Sequence, residues 1–130
     1  MNTKLLMTTS AIVLFVLGMI LIFAPEEVLI YFDLATTKPL LLLIQILGAL
    51  YFGFGMLNWM SKASIIGGIY NKPVVAANLA HFLIATLTLI KGILSEHGLP
   101  ALILVIAFIY AVFAISFAIL FFRHPAAKNL

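Results

Sequence analysis

No cysteine occurs anywhere in the chain. Disulfides, thiolate metal sites, iron–sulfur clusters and cysteine nucleophiles are therefore excluded. Carboxylates are nearly as scarce: Glu26, Glu27, Asp33 and Glu96 are the only four. None falls within the four long apolar runs, so the residue type on which most intramembrane catalysis and proton-coupled transport depend is missing from them. Charge is thin overall, at 8% of residues, against about 25% in a soluble domain. The net charge is +3, yet no block of like charges suggests nucleic acid or a strongly polybasic lipid contact.

What fills the chain instead is hydrocarbon. Of 130 residues, 65% are hydrophobic, and the polar residues are too few to cover a soluble surface. The runs 5–24, 39–60, 73–94 and 99–122 each hold 20 to 24 residues, and about 20 suffice to cross a bilayer core. Lys91 alone intrudes among charged residues, near a run's end where its stem reaches the headgroups. The expected fold is all-α: one integral membrane domain over 1–130, built as an antiparallel four-helix transmembrane bundle. Pro25, Pro39, Pro73 and Pro100 are expected in the first turn of a helix, where the missing N–H costs little. Pro125 follows the last run and stops it. The first run is too long for a signal peptide, and Ala24–Pro25 makes a poor cleavage junction, so it is expected to be retained.

Lys4, Lys62, Lys72, Arg123 and Lys128 fall on one side of the spans, and Lys38 and Lys91 on the other. The basic excess places both termini and the 61–72 loop in the cytoplasm, in a multi-pass protein of the cell membrane. The short 95–98 connection, with Gly98 as a turn residue, requires spans three and four to be antiparallel neighbours. Residues 26–33, acidic at both ends and apolar between, are expected to form a short interfacial helix, and 65–70 to lie along the inner face.

Several spans carry a distinct face. Val74, Asn78, His81, Ala85, Thr88 and Gly92 share one arc of span three, and Gln45, Gly48, Phe52, Gly55 and Trp59 one arc of span two. Span four has a narrow stripe of Ala107, Ala111, Ala114 and Ala118. Small residues let helices approach closely in lipid, so Gly48, Gly55 and the four alanines read first as packing positions. His81 titrates near neutral pH, and Asn78 lies one turn away on its face. Asn58 and Trp59 end span two at the same leaflet. These four are the candidate ligand-binding residues, for a lipid, quinone or sterol-like molecule in a polar pocket near the cytoplasmic leaflet. The bland alternative is a histidine satisfied by a neighbouring amide, with Trp59 an interfacial anchor.

No catalytic residue, metal site or cofactor is predicted. Bis-histidine haem needs a second buried ligand: His97 and His124 lie outside the spans, which leaves a second copy's His81 or a methionine, with no motif for either. There is no HExxH and no G-x-S-x-G turn, and Ser116 is expected to bond its own helix backbone. His81 as a general acid or base lacks a partner residue. A small multidrug exporter would carry a glutamate in its first span, and this span has none.

The Phe-Ala-Pro-Glu step at 23–26, followed by QILGALYFGFG from Gln45, resembles small bacterial four-helix membrane proteins of the DoxX-like type. That resemblance implies an accessory role beside redox assemblies or other membrane proteins. It carries over no catalytic residue, and the basic residue of the family pattern near the start of span two is Gln45 here. The leading expectation is an accessory or scaffolding membrane protein with no chemistry of its own. Its partners would be the bilayer and another integral membrane protein, or a second copy. The alternative is the lipophilic-ligand pocket.

Overall fold

The computed structural model describes residues 2–63, 71–96 and 98–122. The stretch at 65–70 and residues His97, Arg123, His124, Pro125 and Lys128 lie outside them. Five helices follow one another: α1 (Thr3–Phe23), α2 (Pro25–Tyr31), α3 (Lys38–Ser61), α4 (Lys72–Ser95) and α5 (Ala101–Phe122). The described residues contain no strand. All but α2 are long and apolar enough to cross a membrane, so the chain is an all-α, multi-pass membrane protein. Large apolar side chains such as Leu43, Ile84 and Phe108 stand more than 60% exposed on these helices, where acyl chains are the only solvent that suits them.

The helix ends follow local chemistry. Asn2 caps α1, its Oδ1 accepting from the Leu5 N–H at 3.2 Å. Pro25, Pro39 and Pro73 lie in the first turns of α2, α3 and α4. Pro100 instead stands one residue before α5, where its carbonyl accepts from Ile103 N–H at 2.9 Å. The end of α2 is a Schellman motif: Leu34 N–H donates to Leu29 O at 2.9 Å and Asp33 N–H to Ile30 O at 3.0 Å. Asp33 there takes the left-handed φ of 55°. Gly98, expected as a turn residue, has φ 108°.

The chain divides into two compact units, Met1–Ala63 and Ser64–Leu130. In the first, α1 and α3 run antiparallel and meet along small residues. A Cβ on Gly18 would lie 2.9 Å from Gly48 O and from Phe52 N, so the two backbones touch. A Cβ on Gly55 would lie 2.9 Å from the Phe15 ring, which also meets Phe52 and Trp59 at centroid distances of 5.0 and 6.5 Å. Short α2 tucks fully buried Leu29 inward and turns Glu26, Glu27, Ile30 and Tyr31 outward.

The second unit pairs α4 with α5 differently. Phe82 lies at its centre, with Tyr110, Phe113 and Phe117 at centroid distances of 5.1, 4.9 and 5.6 Å. The Phe117 ring is stacked on it, 7° from parallel. Offset stacking and edge contacts suit ring quadrupoles, so aromatic side chains close this pair where close backbone approach at glycine closes the first.

Candidate functional site

Within the first unit, Asn58 is fully buried in the last turns of α3. Its Nδ2 donates to Ser10 Oγ on α1 at 3.0 Å, and the Ser10 hydroxyl donates to Met7 O at 3.1 Å. This polar relay ties the two helices in an apolar setting, where an amide gains from any partner it finds. Trp59, the next residue, faces outward and is 42% exposed. The Lys62 ammonium lies over its ring, 2.9 Å from the centroid, a cation–π contact. Asn58 is thus buried in the α1–α3 seam, whereas Trp59 lies at its margin, with one edge against Phe15 and the rest exposed.

Gly48 and Gly55 both lie on the face of α3 that meets α1. A Cβ on Gly48 would come within 2.9 Å of Gly18 O, Leu21 Cβ and Ile22 Cγ1. Gln45 is exposed, and its Nε2 donates to Ile22 O at 3.3 Å, reaching a carbonyl in the last turn of α1 that no later helical N–H serves. The sequence reading missed Gly18 and Ser10. Their signal was present: Met7, Ser10, Ala11, Leu14 and Gly18 recur at helical spacing and are all buried.

Within the second unit, Asn78 is fully buried and its Nδ2 donates to Val74 O at 2.9 Å. His81 lies against Phe82 and Tyr110, at ring-centroid distances of 5.0 and 5.6 Å. The buried residues of α4 are Val75, Asn78, Phe82 and Thr86, an arc centred nearer Phe82 than His81. Thr88, at the far edge of the polar arc, is exposed. On α5, Ala107 and Ala114 are buried while Ala111 and Ala118 are half-buried. The buried face of α5 is centred on Tyr110 and Phe117, with the alanines along its edge.

Three hydroxyls of α4 and α5 turn to their own helices. Thr86 donates to Phe82 O at 2.6 Å, Thr88 to Ile84 O at 2.9 Å and Ser116 to Val112 O at 2.7 Å. No group of three or more His, Cys, Asp or Glu able to hold a metal ion occurs among the described residues. The polar side chains thus display helix-tying and back-bonding geometry, in a protein whose outer surface is built for lipid. No known protein family, curated protein or solved structure matches the chain.

Proposed function

We propose that this protein is an accessory or scaffolding subunit, seated in the cell membrane with both termini cytoplasmic, that packs against another integral membrane protein and performs no chemistry itself. The observation that carries this reading is Gly53. Gly18, Gly48 and Gly55 are each filled by a neighbouring helix, but a Cβ on Gly53 would meet nothing within 4 Å. Gly53 and Ala49, one turn apart, form a shallow notch on the side of α3 opposite Gly48 and Gly55. Glycine inside a helix costs about 0.5–1 kcal/mol relative to alanine, and a helix from a partner docking in the notch offsets that cost. The accessory role implied by the DoxX-like resemblance agrees with this.

The test is native mass spectrometry of the protein extracted gently with its surrounding lipid, compared with Gly53→Leu. A reproducible larger complex in the wild type, lost in the variant while the helices stay folded, is the expected result. Recovery of the same complex with Gly53→Leu would sink the docking face.

A second reading is supported by the pairing of His81 with Tyr110 and the burial of Asn78 one turn away. In it, Asn78 and His81 of the second unit hold the polar end of a lipid, quinone or similar lipophilic molecule. A lone species carrying a stoichiometric small-molecule mass, lost on His81→Ala, would favour this reading over the first.

A further inference from the structure

We propose that the Lys4–Lys62 end of the first unit holds the phosphate of an anionic phospholipid headgroup, with Trp59 at headgroup level beside it. The two lysines are far apart in sequence, and the fold brings them to one height. Ser10 and Asn58 are in hydrogen-bond contact across the antiparallel pair. Lys4 precedes Ser10 by six residues and Lys62 follows Asn58 by four. At 1.5 Å per residue these steps are about 9 Å and about 6 Å in the same direction, so the two Cα levels differ by about 3 Å.

Among the described residues of this unit, no carboxylate lies at that end. Glu26, Glu27 and Asp33, the acids of this unit, lie beyond the opposite ends of α1 and α3. Lys4 is exposed, and Lys62 lies against the Trp59 face at the same end. Two cations at one end of the helix pair raise the positive potential there, and an anion lowers it. Trp59 selects the source of that anion. A half-exposed indole at the end of an apolar span sits at the bilayer interface, where the available phosphates are those of lipids.

Trp59 is the sole tryptophan, so the site carries its own reporter. The full-length protein is placed in phosphatidylcholine bilayers containing equal fractions of brominated phosphatidylglycerol or brominated phosphatidylcholine. Quenching of Trp59 is then expressed relative to the unbrominated bilayer for each variant. Brominated phosphatidylglycerol is expected to be favoured at Trp59 by roughly fivefold per lysine engaged. Lys4→Gln with Lys62→Gln should bring the two lipids to equality. Lys4→Arg with Lys62→Arg, and Lys38→Gln at the far end of α3, should keep the preference. Circular dichroism checks that each variant remains helical. Equal quenching by both lipids in the wild type, or a preference that survives the double glutamine change, overturns the proposal. So does a preference abolished by inorganic phosphate at matched ionic strength, which would reassign the site to the free ion.

Discussion

Gly18 and Gly53 belong to the same unit and predict opposite outcomes for the same substitution. At Gly18 an added methyl meets backbone atoms of α3 at 2.9 Å, and backbone has no rotamer with which to move aside. Gly18→Ala should therefore part α1 from α3 and cost about 1–3 kcal/mol, the usual range for overpacking. Gly53→Ala meets nothing, and should raise stability by about 0.5–1 kcal/mol through helix propensity alone. Reversible unfolding in mixed micelles, followed by circular dichroism, compares the two; equal effects would contradict the contact geometry. Gly48 and Gly55 were legible in the sequence because several small and polar residues mark one arc of span two. Gly18 was harder to read: it recurs at helical spacing with Met7, Ser10, Ala11 and Leu14, but only its partner helix shows that backbone meets it there.

The end of α2 shows how an element can terminate on an imperfect residue. Asp33 adopts φ 55° to close the Schellman motif, a conformation that costs most L-residues roughly 1–2 kcal/mol. Asp33→Gly should stabilise the first unit by about 1 kcal/mol, and Asp33→Val should destabilise it; thermal or denaturant midpoints of the two variants decide. In the second unit the pairing of α4 with α5 depends on Phe82, which touches three other rings and His81. Phe82→Ala should cost about 3–5 kcal/mol, and Phe82→Leu clearly less. An alanine variant as stable as wild type would show that the ring cluster does not hold the helices together. The span boundaries were readable to within two residues because length and composition alone set them. The facing of α4 and α5 was harder to read. In lipid an aromatic residue is equally at home inside or outside, so Phe82, Phe113 and Phe117 carried no directional signal, and the alanines drew attention to the edge of the face.

Across the whole molecule, charge is sorted more strictly than composition suggests. In the first unit Lys4 and Lys62 mark one end, and all three acids, Glu26, Glu27 and Asp33, lie at the other beside Lys38, a polarity that no single stretch of sequence displays. The proposed orientation is checked by thiol labelling, which is clean because the chain has no cysteine of its own. Thr36→Cys should react with an impermeant maleimide in intact cells, and Ala63→Cys only after permeabilisation; the reverse pattern would invert the topology. The two units also differ in what closes them, backbone against backbone in one and ring against ring in the other. A backbone contact admits no substitute, whereas rings pivot and share out the volume a neighbour loses. Tolerance to sequence drift should accordingly be lopsided: a saturation scan would find the first half unforgiving at a few glycines and permissive elsewhere. The second half would trade phenylalanine for leucine or methionine at many positions and remain closed.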